Sequence, residues 1–316
     1  MSYFLTIFSE NIVPIFIQIL LGYFLHKKFK FQIGTLTKIQ LYVLVPALLF
    51  TKVSQAELSG DIVGRVFLYG ILIFLCLFIV SSIVAKLLKY PKTLANAFIN
   101  SVCFYNSGNF CLPLLELLYK GDPFATSVQI IILMTQNITT NTVGIFNSCR
   151  GKNGAKKAVM SVLKMPMPYV LVSAILFKLL SNTQAWSSIE PFWRPVGSAI
   201  SMLSQGMIPM ALFTLGVQLA NTKISFKVPK VYLSNFLRLV GGPVMAYLLT
   251  LLLGIRNMDN GSLIAQVMVI SSAAPTAVNT VIIAVEFDNE PEFASQAVFS
   301  ATALCSINVT MVIFLV

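Results

Sequence analysis

Long apolar runs separated by short polar stretches fill this chain from end to end. A helix needs about 20 apolar residues to cross a bilayer. By that measure the pattern predicts spans over 5–26, 36–55, 64–88, 93–119, 124–149, 166–183, 195–220, 229–254, 261–285 and 291–315. The intervals between them are too short to hold a soluble domain. The expected fold class is all-α: a polytopic membrane protein of ten transmembrane helices.

Two of the spans are built to stop being helices. The fourth contains Tyr105-Asn106-Ser107-Gly108-Asn109-Phe110-Cys111-Leu112-Pro113. Gly108 lowers helix stability, and the ring of Pro113 clashes with the carbonyl four residues back while supplying no N–H. Asn106, Ser107 and Asn109 add polar side chains at the same depth. The ninth span contains Ser271-Ser272-Ala273-Ala274-Pro275-Thr276-Ala277-Val278-Asn279. In hydrocarbon an unpaired backbone group costs several kcal/mol, so broken backbone persists only where protein or a wet cavity covers it. Gly108, Pro113 and Pro275 therefore mark two breaks. Matched breaks in two halves point to a transporter's substrate site.

The halves also repeat. Pro46-Ala47-Leu48-Leu49-Phe50-Thr51 matches Pro209-Met210-Ala211-Leu212-Phe213-Thr214, and Gln55 matches Gln218 at the same offset. Five spans per half is an odd number, so the second copy runs through the membrane upside down. The expectation is two inverted five-helix repeats whose broken helices cross near the midplane. A broken helix exposes N–H groups at a positive dipole end, so the crossing forms a cradle suited to an anion. A pair of kinked helices with packing roles is the plainer reading.

Composition narrows the class. The chain is 57% hydrophobic and 10% charged, with a mean hydropathy of +0.83, which excludes a soluble domain. The net charge of +11 is explained by position. Basic residues gather in alternate connections: Lys27, Lys28, Lys30 and Lys38; Lys86, Lys89 and Lys92; Arg150 to Lys164; Lys223, Lys227 and Lys230. Cytoplasmic loops collect Lys and Arg. Both termini are then extracytoplasmic, in a cell membrane (plasma or inner). The surplus reads as a topology signal and a contact for the lipid bilayer, not as a nucleic-acid surface. The ninth connection is acidic, an exception the rule tolerates. The N-terminus lacks the basic region of a cleavable signal. Five scattered cysteines and one histidine give no metal spacing. No P-loop, HExxH or GxSxG is present, so no enzyme and no cofactor is expected.

Taken together, the motifs resemble the auxin efflux carrier family, which includes bacterial malate and malonate permeases and the plant PIN-FORMED carriers. The resemblance spans the chain. Its most specific pieces are Asn106 to Pro113, Leu203 to Gly216, Arg238 to Pro243 and Ala273 to Asn279. It implies a scaffold of helices 1–2 (1–58) and 6–7 (166–222). It also implies a moving transport domain of helices 3–5 (59–150) and 8–10 (223–316), joined by a short cytoplasmic loop (151–165). Homodimers are implied too. Asn106 looks like the substrate-contacting asparagine of the crossover, and Pro113 and Pro275 look like its prolines. The short central loop fits a microbial organic-acid permease better than a long plant carrier.

The expected function is transport of a small organic anion, a mono- or dicarboxylate, by alternating access. Asn106, Ser107, Asn109, Thr276 and Asn279 are expected to line the site, with Gln205, Gln218 and Arg238 as further pathway candidates. Arg238 has two readings: attraction of a carboxylate, or capping of broken-helix carbonyls. Glu116 could couple protons through a pKa raised by burial, or could reach outward near Lys120. In the fifth span, Asn137, Thr140 and Asn141 share one helix face; they could join helices through hydrogen bonds or line the pathway. H+ or Na+ coupling stays open. The alternatives are an ion-coupled carrier of another solute on a similar fold, and a membrane receptor that binds without transport.

Overall fold

The computed structural model describes residues 2–56, 59–148, 166–184, 186–222 and 229–316. The expected loop at 151–165 and most of the basic residues of the fifth and seventh connections lie outside the described residues.

The described residues are overwhelmingly helical. They form α1 (Phe4–Phe29), α2 (Ile33–Gln55), α3 (Gly60–Leu87), α4a (Lys92–Cys103), α4b (Ser107–Leu118), α5 (123–148) and α6 (Met167–Ser181). Then come α7 (Trp186–Ala220), α8 (Pro229–Leu252), α9a (Gly261–Ser272), α9b (Asn279–Glu286) and α10 (Pro291–Leu315). Six of them, α1, α2, α3, α7, α8 and α10, are long and apolar enough to cross a membrane. The helix α5 is long enough, but its amides and hydroxyls make it less apolar. The helix α7 begins at Trp186, earlier than the apolar pattern suggests, and carries Pro191 and Pro195 in its first half.

Connections segregate to two faces. On one, His26 meets Asn221 at 2.7 Å, the Lys230 ammonium lies over the Tyr90 ring, and Thr93 donates to Glu290 at 2.9 Å. Asn96 donates to the carbonyl of Asn147 on the same face. The end of α1, the α3–α4a turn, the ends of α5 and α7, the start of α8 and the α9b–α10 turn thus share a side. On the other, Lys52 pairs with Glu116, Lys178 donates to the Ala56 carbonyl, and Arg65 donates to the Leu253 carbonyl at 2.8 Å.

The tightest helix pair is α1 with α7. A Cβ on Gly22 would overlap the Phe213 carbonyl, and one on Gly216 would overlap the Ile19 carbonyl. Both glycines are therefore required by backbone-to-backbone approach. The helix α2 packs against α6 and the first half of α7, while α3, α4a, α5, α8, α9a and α10 pack largely among themselves.

Four prolines inside the helices are absorbed by π turns. Phe8–Ile12, Gln40–Leu44, Ser107–Cys111 and Leu237–Gly241 are each followed, after one residue, by a proline: Pro14, Pro46, Pro113 and Pro243. In each case the residue before the proline bonds five residues back, as Leu112 N–H does to Ser107 O. The wider turn moves carbonyls away from the pyrrolidine ring that would otherwise clash.

This relocates one expected break. The sequence puts the fourth-helix interruption at Gly108 and Pro113. The structure puts it at Phe104–Asn106, with Gly108 inside the π turn and Pro113 near the start of the α turns that follow. The ninth-helix break, residues 273–278, does contain Pro275.

Candidate functional site

The two breaks cross and pair. Tyr105 and Thr276 form an antiparallel bridge. Asn106 N–H donates to Pro275 O at 2.8 Å, and Ala277 N–H donates to Phe104 O at 2.9 Å. Two short extended segments thus satisfy each other where neither could satisfy itself.

The carbonyls released at the end of α4a are all accounted for. Asn100 O accepts from Phe104 N–H, Ser101 O from the Thr276 hydroxyl at 2.9 Å, and Val102 O from Arg238 Nη1 at 3.0 Å. Cys103 O accepts from Gln136 Nε2 at 3.4 Å. At the end of α9a, Ser272 O accepts from Arg238 Nη2. The guanidinium is fully buried and stacks over the Tyr105 ring, 4.7 Å from its centroid. One cation therefore ties together the negative ends of both broken helices. Of the two readings of Arg238, the capping geometry is the one present.

The positive ends of the helices face elsewhere. A cavity of about 290 Å³ begins at the crossover and runs toward the face that carries the α1–α2 and α9b–α10 connections. Residues 105–109, at the start of α4b, and 277–279, at the start of α9b, form its inner end. Asn106 caps α4b, its Oδ1 accepting from Asn109 N–H at 3.0 Å. Its Nδ2 is buried with no partner. Asn109 Oδ1 accepts from Gln40 Nε2 of α2 at 3.1 Å. Gln218 of α7, 6% exposed, lines the same cavity with an unpaired Oε1. Buried polar atoms seldom lack partners, and those that do are candidates for a ligand or water.

Toward the opposite face the path is shut. An apolar cluster that includes Leu48, Leu49, Leu112, Ile130 and Ala211 fills the space between α2, α4b, α5, α6 and α7. Beyond it, Lys52 Nζ lies 3.0 Å from Glu116 Oε1 and donates to Gly121 O at 2.8 Å. The Thr126 hydroxyl also donates to Glu116.

The expected site residues therefore divide. Asn106, Ser107, Gly108, Asn109, Asn279 and Gln218 line the cavity. Thr276 is fully buried beside it, its hydroxyl committed to Ser101. Pro275 lies in the crossing backbone and Pro113 a turn beyond it. Gln205 is exposed at the bend of α7, away from the cavity. Arg238 lies behind the crossover, and Glu116 sits in the ion pair on the far side. Asn137, Thr140 and Asn141 do form one wall. Polar wall residues outside the expected set include Thr37, Gln40, Gln136 and Glu286. Thr37, Gln40 and Leu41 share a helix face by spacing, but with an apolar member that face carries no distinct signal for Gln40.

Comparison with known proteins bears on the family. A family model described as "Membrane transport protein" matches residues 7–165 and 155–313. The chain belongs to this family of membrane transporters, the auxin efflux carrier family. It is 27% identical to "Uncharacterized transporter YfdV" of Escherichia coli (strain K12), over 99% of this chain and 96% of that protein. It is 21% identical to an "Uncharacterized transporter" of Methanothermobacter thermautotrophicus, over 96% of each. It is 26% identical to a "Putative malonate transporter" of Rhizobium meliloti (strain 1021), over 96% of this chain and 94% of that protein. The chain is a multi-pass membrane transporter, not an enzyme.

Proposed function

We propose that this carrier moves a small organic anion, of the mono- or dicarboxylate class that includes malonate and malate, through the crossover cavity. The observation that carries the reading is the polarity of the crossing. Both helix starts border the cavity, while both helix ends are turned away to Arg238. Helix starts attract anions. The cavity volume of about 290 Å³ suits a ligand of this size. The relative named for malonate supports the substrate class.

The architecture that goes with this reading is ten membrane helices in two inverted five-helix repeats. Helix order supports it: three continuous helices, a broken one and a continuous one occur first in α1–α5 and again in α6–α10. The segregation of connections to two faces supports the alternation this requires. Helices α1, α2, α6 and α7 act as scaffold, and α3–α5 with α8–α10 carry the substrate. The side of Lys27, Lys28, Lys30, Lys86, Lys89 and Lys92 is cytoplasmic, so the cavity opens inward and both termini lie outside. The ion pair of Lys52 and Glu116 bridges scaffold and transport domain on the closed, outer side, and it parts when the carrier opens outward. A homodimer in the plasma or inner membrane is the working assembly.

The test is uptake of radiolabelled malonate, malate and simple monocarboxylates into proteoliposomes carrying the purified protein. Saturable uptake of at least one acid, absent from protein-free vesicles, is expected. Binding without flux would turn the reading to a receptor, and sodium-dependent uptake of a non-acidic solute would turn it to a different carrier.

A further inference from the structure

The cavity wall carries no lysine, arginine or histidine among the described residues. Its titratable members are Tyr105 at the inner end and Glu286 near the mouth. The nearest buried cation, Arg238, is spent on Val102 and Ser272 and stacked on the far side of the crossover. What remains to hold an anion is neutral: the unpaired amide of Asn106, the amides of Gln218 and Asn279, and the starts of α4b and α9b. Each helix start is equivalent to roughly half an elementary positive charge, so the two together amount to about one.

We propose that the cavity selects monoanions, so that a dicarboxylate enters as its singly protonated form. This rests on the organic-anion reading above and refines it. One carboxylate lies against the two helix starts. A second would face the uncharged amides of the inner wall, where no cation is present among the described residues and an unpaired buried charge is strongly disfavoured. The second carboxyl therefore keeps its proton and donates it as a hydrogen bond to a wall amide, the orphaned carbonyl of Gln218 being one acceptor of that kind. The proton then travels on the substrate. No titrating carboxyl is needed at the crossover, and none lines it among the described residues.

The experiment compares malonate with monomethyl malonate, which carries one fixed negative charge at every pH above its own carboxyl pKa. Uptake of each into proteoliposomes is measured as KM against pH, and again under an imposed pH gradient. For malonate, KM expressed as total acid should rise about tenfold per pH unit above its second pKa, following the fraction of hydrogen malonate. For monomethyl malonate it should stay flat, which also excludes titration of Glu286 or Tyr105 as the cause. A pH gradient should drive accumulation of malonate and leave the monoester unaffected. A malonate KM that is flat or falls with rising pH, while the monoester is still carried, overturns the monoanion proposal and leaves the carrier reading standing. Saturable uptake of neither compound, nor of any simple carboxylate, removes the carrier reading and this proposal with it.

Discussion

Replacing Arg238 with methionine tests what the buried guanidinium is for. The side chain makes two charge-assisted bonds, to Val102 O and Ser272 O, and one stacking contact with Tyr105. Hydrogen bonds of this type contribute about 1.5–3 kcal/mol each, and a desolvated cation–π contact about 2 kcal/mol. The cost of burying the guanidinium opposes them. Methionine removes that cost but strands two carbonyls, at about 1–3 kcal/mol each. The net loss should be about 3–5 kcal/mol, lowering the midpoint of thermal unfolding in detergent by at least ~5 °C. Arg238→Lys keeps the charge but reaches one carbonyl well at a time, so it should lose about half as much. Unfolding is followed by intrinsic fluorescence, with uptake measured on the same preparations. An Arg238→Met protein with wild-type thermal stability and only a raised KM would refute the capping account and make Arg238 a substrate ligand.

Gly216→Val should separate α1 from α7 and abolish folded, monodisperse protein on size exclusion, because its side chain would overlap the Ile19 carbonyl. Gly34→Ala, where nothing lies within 4 Å of the new Cβ, should be silent in the same assay. Asn106→Ala should raise KM about tenfold by removing an amide donor. Asn106→Ser retains a capping oxygen for Asn109 N–H, so it separates loss of the cap from loss of the ligand contact. Glu116→Gln breaks the pair with Lys52, whose side chains are 14% and 13% exposed. It should cost about 1–3 kcal/mol, less than a fully buried pair, yet leave the response of malonate uptake to a pH gradient intact. Loss of that response would identify Glu116 as the coupling group.

Much of the helix order was legible because apolar run length and proline position report directly on membrane helices. The ninth-helix break falls where Pro275 announces it. The fourth-helix break does not fall at Pro113, because a π turn accommodates that proline within the helix. Its place is fixed instead by pairing of residue 105 with residue 276, a long-range contact that local pattern cannot encode. Spacing found the wall of Asn137, Thr140 and Asn141, since polar residues on one face of a membrane helix need somewhere wet or bonded to point. It could not tell Thr276 from Asn279. Both sit at the ninth-helix break, but one hydroxyl is consumed by Ser101 while the other side chain lines the cavity. Gln40 escaped notice because a single amide near a helix end is ordinary. Its role depends on Asn109 lying 3.1 Å away in space.

The central claim is that substrate rests at the crossing, between the starts of α4b and α9b. The most direct measurement is an electron cryo-microscopy reconstruction of the protein with saturating malonate beside one without it. The account predicts added density in the cavity, within hydrogen-bonding reach of Asn106 and on the side of the crossover away from Arg238. Density against Arg238, or a substrate bound elsewhere with the crossover cavity unchanged, would contradict it.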